Sequence, residues 1–276
     1  MSRELFDLSG QVALVTGSAG IFGPAHATAI LECGGRVVLT DISFERLEKM
    51  YEQFSDRYGV SNVFRYVMDV TSEESVRAAR RAMEASFGNP SVLINNAATD
   101  PKVTKTDDSL ARTRLETFLL DDWDAEIRVG LTGALLCSKV FGAEMARSGG
   151  GVIINVASDL SIIAPDQRLY KREGLVDTKQ MVKPVSYSVI KHGLVGLTKY
   201  LATYWANNGV RANALSPGGI FQDQPPDFVA KLSALIPMGR MAELDDYIGA
   251  VQFLATDASR YMTGQNLVVD GGRTVW

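Results

Sequence analysis

The fold of this chain is decided by the stretch Gln11-Val12-Ala13-Leu14-Val15-Thr16-Gly17-Ser18-Ala19-Gly20-Ile21-Phe22-Gly23. Its first six residues are a short, mostly apolar run, which is typical of a buried strand. The seven residues that follow carry a glycine at every third position and open a helical pattern that runs to about Cys33. The stretch therefore predicts a strand, a glycine turn and a helix in direct succession.

Each glycine of this turn has its own physical use. Gly17 permits the tight turn, Gly20 lets the backbone approach a pyrophosphate at the positive end of the helix, and Gly23 allows the helix to pack closely on the strand. A glycine turn can also be no more than a turn, so the pattern needs support from elsewhere. That support comes from a second predicted strand, Arg36 to Thr40, which is followed at once by Asp41.

Asp41 indicates which dinucleotide would bind. It lies 24 positions after Gly17, close to the roughly 20 positions expected for a carboxylate that accepts hydrogen bonds from the adenosine ribose. The same charge would repel a 2′-phosphate, so we expect NAD as the cofactor and regard NADP as less favoured. The alternative is that Asp41 only caps the helix that follows it.

A second motif lies in the run Ser186-Tyr187-Ser188-Val189-Ile190-Lys191-His192-Gly193. Tyr187 and Lys191 are four positions apart, so on a helix they share one face. A free tyrosine ionises near pH ~10, and an ammonium beside it favours the phenolate. The pair can therefore exchange a proton with a substrate oxygen near neutrality, although the same spacing also occurs on many solvated helices.

Composition fits one globular domain that spans residues 1–276. The chain is 46% hydrophobic and 22% charged, which allows a substantial core, and no linker, repeat or low-complexity tract divides it. The N-terminus has no apolar signal core, and we find no uncharged apolar run long enough to span a bilayer. We therefore expect a cytoplasmic protein with no membrane contact.

Charge and metal-binding residues exclude other classes. The net charge is −4, whereas binding of nucleic acid is indicated by an excess of positive charge. Cys33 and Cys137 lack metal spacing and are expected to be reduced packing residues, and neither His26 nor His192 belongs to a ligand cluster. We expect no metal.

Strand and helix signals alternate along the rest of the chain. Further strands are expected near residues 63–68, 92–96, 152–157, 211–215 and 267–269. This alternation predicts an α/β fold of the doubly wound Rossmann type, with about seven parallel strands and the ligand at their carboxyl ends. Polar or glycine residues lie at or just past those ends, namely Gly17, Asp41, Asp69, Asn95 and Ser158.

Taken together, these motifs resemble the short-chain dehydrogenase/reductase family over nearly the whole chain. The matching segments, in order, are Thr16 to Gly23, Asp69-Val70, Asn95-Asn96-Ala97-Ala98, Asn155-Val156-Ala157-Ser158, Ser216-Pro217-Gly218-Gly219-Ile220, Met262-Thr263-Gly264-Gln265 and Val269-Asp270-Gly271-Gly272. The order and spacing of all seven make the resemblance specific.

The resemblance implies an oxidoreductase that interconverts an alcohol and a carbonyl by hydride transfer with NAD(P). Tyr187 would exchange the proton, Ser158 would hold the substrate oxygen, and Lys191 would assist the tyrosine and bond the nicotinamide ribose. The residues implied for cofactor binding are Gly17, Ser18, Gly20, Ile21, Phe22, Gly23, Asp41, Asp69, Val70, Asn96, Ala97, Tyr187, Lys191, Pro217, Gly218 and Ile220.

Two departures from the family pattern keep other functions open. Gly130 stands where the family has a proton-relay asparagine. It either makes room for a water, another side chain or a bulky substrate, or permits close helix packing. Loss of the asparagine makes a non-catalytic cofactor sensor conceivable. The G-x-x-G-x-x-G spacing is similar to that of a two-part sugar-nucleotide branch, so an NAD-dependent epimerase or lyase is the other alternative.

A third departure is an insertion between Ser158 and Tyr187, which are 29 positions apart. Residues 160–184 and a second polar segment, residues 99–118, are expected to form the substrate wall. Asp166, Arg168 and Phe221 are the candidate substrate-binding residues. Cations in these segments, which include Lys102, Lys105, Arg112 and Arg114, would attract a phosphate or carboxylate, unless nearby acids simply balance them.

Two further expectations concern the substrate class and the oligomeric state. Segments 165–170, 199–205 and 271–276 are similar to short-chain oxidoreductases of bacterial surface-sugar biosynthesis, including nonulosonic acid pathways, which implies a polar sugar or sugar derivative as substrate. The helix from Tyr187 to Asn208 carries more apolar surface than one sheet face needs. Relatives pair through this helix, so we expect a homodimer or homotetramer.

Overall fold

The computed structural model describes residues 4–99 and 113–276 of the chain. Its strands are β1 (Val12–Thr16), β2 (Arg36–Asp41), β3 (Val63–Val67), β4 (Val92–Asn95), β5 (Gly151–Val156), β6 (Val210–Pro217) and β7 (Asn266–Val269). They form one parallel sheet in the order β3-β2-β1-β4-β5-β6-β7. The prediction of a doubly wound, seven-stranded parallel sheet is confirmed.

Helices follow the strands in the order that the alternating pattern predicted. Those of eight or more residues in the described ranges are α1 (Gly23–Glu32), α2 (Phe44–Tyr58), α3 (Glu73–Ser86), α4 (Leu120–Arg147), α5 (Val185–Tyr204), α6 (Pro226–Ser233) and α7 (Ile248–Ala255). Ser43 and Ser72 cap α2 and α3, each followed by glutamate in the first turn, where a negative charge favours the helix.

Helices cover both faces of the sheet because successive strand residues point to opposite sides. Ala13 and Val15 of β1 pack with residues of α1, α2 and α7. Val12 and Leu14 of the same strand pack with residues of α3, α4 and α5. The central strands are therefore apolar on both sides, and in a sheet of this kind a ligand binds at the carboxyl ends of the strands.

Helix α4 contains 28 residues and is apolar enough, by length and composition, to cross a membrane. The sequence alone did not single it out. Half of its most apolar window is buried inside the protein, and Cys137, Phe141 and Met145 belong to the core on one sheet face. Its apolarity is thus explained by packing as a core helix.

Two stretches of α4 have π-helical geometry, Arg128–Thr132 and Ser138–Gly142. Such stretches re-aim the helix and are frequent at functional sites. The first contains Gly130, the position at which the chain departs from the family pattern, so the geometry of α4 changes where it passes the site.

Candidate active site

The glycine turn after β1 has the geometry that the sequence predicted. Gly17 has a φ of +59°, and a Cβ atom on it would lie 2.7 Å from the Cα of Ala97. A Cβ atom on Gly23 would lie 1.7 Å from the carbonyl oxygen of Ser18. Neither position can hold a larger residue without moving the backbone, so both glycines are required by the close packing of this turn.

Features at the start of α1 fit the phosphates of a dinucleotide. Phe22 occupies the N-cap but makes no side-chain cap hydrogen bond, which leaves backbone N–H groups for a ligand. The hydroxyl of Ser18 is buried, and no group in residues 4–99 or 113–276 bonds it. A buried polar group without a partner is costly, and a bound anion would satisfy it.

Asp41 ends β2 with its carboxylate beside the glycine turn. It is 5% exposed and accepts hydrogen bonds from the backbone N–H of Ala19 at 3.2 Å and of Ser43 at 3.0 Å. The cap of α2 is Ser43, so the alternative that Asp41 is that helix cap is wrong. Arg46 lies 3.2 Å from the carboxylate, a basic neighbour that the sequence analysis did not consider.

Asn96 uses its side chain to brace the turn. Its amide donates to the backbone oxygens of Thr16 at 3.0 Å and of Gly17 at 2.9 Å, while its oxygen faces Nε2 of His26 at 3.2 Å. Burial lowers the pKa of His26 to about 4, so the imidazole is neutral at physiological pH. The hydroxyl of Thr16 accepts from the backbone N–H of Ala97 at 3.0 Å, which fixes this segment against β1.

The loop after β6 is held against the same turn by Tyr247, a residue that no sequence motif singled out. Tyr247 is fully buried, donates to the carbonyl oxygen of Gly218 at 3.0 Å and packs on Phe22 with ring centroids 5.4 Å apart. Burial is the main cause of its raised pKa. Ile220 pairs with Ala242 in an isolated bridge, which fixes the far end of the loop.

Asp69 and Val70 lie just past β3, as expected for the edge of a nucleotide site. The Asp69 carboxylate accepts from the N–H and the hydroxyl of Thr71, both at 2.8 Å. Val70 is buried, and a Cβ atom on Gly133 of α4 would lie 2.7 Å from its side chain. Both side chains are thus used to order this loop, and any contact with a cofactor stays a prediction.

Tyr187 and Lys191 occupy one face of α5, which begins two residues before the tyrosine because Pro184 is its N-cap. Lys191 is buried, and its Nζ donates to the carbonyl oxygen of Val156 at 2.8 Å. That bond fixes the lysine at the carboxyl end of β5. Its Nζ lies 5.6 Å from the centre of the Tyr187 ring.

Ser158 follows β5 by two residues, so the structure brings it to the strand end where Lys191 is fixed. Its hydroxyl donates to the Asp159 carboxylate at 2.7 Å and accepts from the backbone N–H of Leu160 at 3.2 Å. The long insertion after Ser158 therefore does not remove the serine from the strand end.

Two residues near Tyr187 were missed by the sequence analysis. Lys183 places its Nζ 3.8 Å from the centre of the tyrosine ring, from the loop before α5. Glu126 of α4 is buried and accepts a hydrogen bond from the hydroxyl of Ser186. Lys183 and Glu126 line one pocket with Tyr187 and Lys191. Of these two residues, only Glu126 could have been found from the sequence, because it lies one helical turn before Gly130.

Gly130 lines the same pocket and lies against α5. A Cβ atom there would be 2.8 Å from Cγ2 of Ile190. Of the alternatives left open by the sequence, close helix packing is therefore supported directly.

The insertion at residues 160–184 packs on the segment that follows the Pro217-Gly218 loop. Leu169 is buried with residues of α6 and the turn after it, and Tyr170 contacts Phe228 with ring centroids 5.7 Å apart. The ammonium of Lys231 donates to the backbone oxygen of Lys171 at 2.9 Å. The insertion and α6 thus form one wall beside the site.

Within the described residues, the charged side chains predicted to face a substrate bond to other groups of the protein. Arg168, whose side chain is 82% exposed, makes an ion pair with Asp166 at 2.7 Å. Hydrogen bonds from Arg168 are the main cause of the lowered pKa of Asp166. Arg114 donates to the backbone oxygen of Asp177 at 2.8 Å, and Phe221 is exposed. Residues 100–112, with Lys102, Lys105 and Arg112, lie outside the described residues.

The sheet, its glycine turn and the Tyr187–Lys191 pair define a class, that of oxidoreductases with a Rossmann-type dinucleotide site. A sequence model of the short chain dehydrogenase family matches residues 11–169, and one described as enoyl-(acyl carrier protein) reductase matches residues 175–274. The chain therefore belongs to the short-chain dehydrogenase/reductase family and is an NAD(P)-dependent oxidoreductase.

Several relatives are similar over their whole length. The chain is 34% identical to a D-threitol dehydrogenase of Mycolicibacterium smegmatis, over 98% of this chain and 95% of the relative. It is 32% identical to a galactitol 2-dehydrogenase (L-tagatose-forming) of Cereibacter sphaeroides, over 99% of both. A gluconate 5-dehydrogenase from Burkholderia cenocepacia J2315, solved with NADP and tartrate, matches with a TM-score of 0.86, 30% identity and full coverage of both chains.

These relatives are all named as dehydrogenases, which gives no support to the epimerase, lyase or sensor alternatives. The narrower resemblance to surface-sugar enzymes stays a prediction.

Proposed function

We propose that this protein oxidises a secondary alcohol of a polyol or sugar derivative to a carbonyl, or catalyses the reverse reduction, with NAD as the preferred cofactor. The observation that carries the proposal is the Lys191–Val156 hydrogen bond of 2.8 Å. It fixes the Tyr187–Lys191 pair at the carboxyl end of β5, the strand that leads to Ser158. The three relatives reported above act on a tetritol, a hexitol and a sugar acid by name.

Different segments of the chain would bind different parts of the cofactor. The glycine turn and Asp41 would hold the adenosine and pyrophosphate part of the cofactor, and the loop at Pro217, Gly218 and Ile220 would hold the nicotinamide part. The bound cofactor supplies a hydride acceptor or donor. The buried hydroxyl of Ser18 would form a hydrogen bond with the same cofactor.

The proton would move at the phenolic oxygen of Tyr187. In oxidation this oxygen takes the proton of the substrate hydroxyl, and in reduction it returns one to the carbonyl oxygen. The ammonium of Lys191 favours the phenolate that accepts the proton. Ser158 would hold the same substrate oxygen, so that the reacting carbon is presented in one orientation.

Substrate class is tested by NADH formation with a matched panel of alcohols. Tetritols, hexitols and sugar acids are expected to be turned over, because the pocket beside Tyr187 presents the charged side chains Lys183 and Glu126 to a ligand. Cyclohexanol and 2-butanol serve as apolar controls and are expected to react at least about 100-fold less efficiently, because they lack the additional hydroxyl groups with which a polyol can form hydrogen bonds in the pocket. Activity confined to the apolar alcohols would contradict the proposal.

Cofactor preference is tested with Asp41→Ser. Removing the carboxylate is expected to lower kcat/KM with NAD by about 10- to 100-fold, the value of one or two charge-assisted hydrogen bonds. It should also raise kcat/KM with NADP, because Arg46, now 3.2 Å from the carboxylate, becomes available to a 2′-phosphate. The Asp41→Ser/Arg46→Ala variant is the control and should lose the gain with NADP. A wild-type enzyme that prefers NADP would refute the assignment of Asp41.

We infer a dimer or tetramer that pairs through α5. Its outer face carries Tyr200 and Tyr204, each 61% exposed and stacked with ring centroids 5.6 Å apart, which is apolar surface suited to a second copy of the chain. A cytoplasmic location is the remaining expectation from the sequence.

A further inference from the structure

A buried ion pair lies directly behind Ser158. Asp159 is 3% exposed and Arg273 is 8% exposed, and Nη1 of Arg273 lies 2.5 Å from Oδ2 of Asp159. The two residues are 114 positions apart. A buried carboxylate is tolerated only when its charge is compensated, and Arg273 provides that compensation.

The pair is connected to the serine through the other carboxylate oxygen. Oδ1 of Asp159 accepts from the Ser158 hydroxyl at 2.7 Å and from the backbone N–H of Leu160 at 2.8 Å. The same N–H lies 3.2 Å from the serine oxygen. A hydroxyl has one proton and two lone pairs, so these contacts direct the proton to Asp159 and occupy one lone pair. The proton has to turn from the carboxylate to the substrate oxygen when Ser158 holds that oxygen.

The chain after β7 is shaped to deliver Arg273 to this place. Asp270 accepts from the backbone N–H groups of Gly272 at 2.9 Å and Thr274 at 2.8 Å. Gly271 and Gly272 have φ values of +66° and +90°, and a Cβ atom on Gly272 would lie 2.9 Å from Pro237. The Asp270-Gly271-Gly272 turn therefore folds the C-terminal segment back beneath the strand ends.

We propose that Arg273, acting through Asp159, keeps the Ser158 hydroxyl in place and its surroundings electrically neutral, and is a positioning residue of the active site. Without the arginine, an uncompensated carboxylate would lie next to the serine, where it would oppose negative charge on the substrate oxygen and on Tyr187. The proposal rests on the catalytic roles given above to Ser158 and Tyr187.

Other charged and titratable groups lie around Tyr187 and around the Asp159–Arg273 pair, and the variants described below leave them unchanged. Those beside Tyr187 are Lys183, Lys191 and Glu126, and those on the side of the ion pair are Asp166, Tyr247 and Asp270.

The test is the pH dependence of kcat/KM for polyol oxidation. Arg273→Gln is expected to lower kcat/KM by at least about tenfold and to move the midpoint of its rise upward by about one pH unit, because a negative charge is exposed near the phenol. Asp159→Asn leaves a lone cation and should move the midpoint downward. The Asp159→Asn/Arg273→Gln variant, which is neutral, should return the midpoint to the wild-type value.

Arg211, a partly buried arginine, provides a control for loss of an arginine that is hydrogen-bonded inside the protein. It lies near the start of β6, at the opposite end of the sheet, and donates to the backbone oxygens of Thr256 at 3.0 Å and Leu254 at 3.3 Å. Arg211→Gln is expected to lower the Tm without moving the pH midpoint. If Arg273→Gln behaves in the same way, the ion pair is only structural and the proposal is overturned.

The proposal can still be tested if the Arg273→Gln variant fails to fold. If Arg273→Gln does not fold, the Asp159→Asn midpoint decides alone, and an unmoved midpoint there also overturns the proposal. Failure of the underlying function is seen separately: a fully active Tyr187→Phe enzyme would remove the catalytic assignment, whatever Arg273 does.

Discussion

Tyr187→Phe is expected to lower kcat for hydride transfer by about 10²- to 10⁴-fold, the range that a positioned acid or base contributes. The substitution removes only the phenolic oxygen. The ring remains for Lys183, whose Nζ lies 3.8 Å from its centre, and Lys191 keeps its bond to Val156. The fold, cofactor binding and pocket shape should therefore persist while proton exchange is lost.

Three measurements separate this result from a folding defect. Turnover with NAD and a polyol gives kcat, cofactor titration by fluorescence gives Kd for NADH, and thermal unfolding gives Tm. Tyr200→Phe is the matched control, since it removes a phenolic oxygen from the outer face of the same helix, at a side chain that is 61% exposed, and should leave kcat unchanged. Near-normal turnover by Tyr187→Phe would end the case for this tyrosine as acid and base.

The sequence predicted those site residues whose structural role is set by residues close to them in the chain. The turn from Gly17 to Gly23 and the Tyr187–Lys191 pair are local patterns, because a tight turn and a shared helix face are fixed within a few residues. Asp41 was found for a related reason: it comes directly after an apolar run that had to be a strand.

The residues that were missed reach the site through tertiary packing. Arg273 meets Asp159 across 114 positions, and Tyr247 reaches Gly218 across 29. No local periodicity encodes either contact. Arg168 shows a different limit: the sequence allowed it either to bind an anionic substrate or to be balanced by a nearby acid, and the structure pairs it with Asp166 two positions away. Loop charges are ambiguous until their neighbours are known.

Helix α5 illustrates where boundary predictions fail. The pattern suggested a helix to Asn208, but α5 ends at Tyr204 and Ala206–Asn208 forms a single 3-10 turn. Gly209, with a φ of +74°, then turns the chain into β6. Apolar periodicity continues through that turn, so the sequence did not mark the end of the helix.

Gly130 raises the question of whether the family's asparagine could be restored. The position lies inside α4, where alanine is preferred to glycine by roughly 1 kcal/mol, so the glycine must be retained for a packing or site reason. Any Cβ atom there would lie 2.8 Å from Cγ2 of Ile190 and 3.3 Å from its Cδ1. Cγ2 is attached directly to the β-carbon, so it can move away only if Ile190 leaves the χ1 rotamer that isoleucine strongly prefers in a helix, or if the helix itself moves. The contact therefore controls how closely α4 approaches α5.

Gly130→Asn is accordingly expected to reduce activity, although it reinstates a residue that the family uses. Overpacking of this kind costs about 1–3 kcal/mol. Ile190 directly precedes Lys191 and lies three residues after Tyr187, so relief of the clash moves the catalytic pair. A displacement near 1 Å can lower the rate about 100-fold. We expect kcat/KM to fall by that order and Tm to fall with it.

Two variants isolate the cause. Gly130→Ala adds only the clashing atom and should also lose activity and stability, whereas Gly249→Ala in α7, where no described atom lies within 4 Å of the added carbon, should be neutral or stabilising by up to about 1 kcal/mol. Gly130→Asn/Ile190→Ala relieves the contact and should recover about tenfold in kcat/KM over Gly130→Asn alone. If Gly130→Asn instead exceeds the wild-type rate, the glycine does not serve helix packing, and the chain has lost a relay without replacing it.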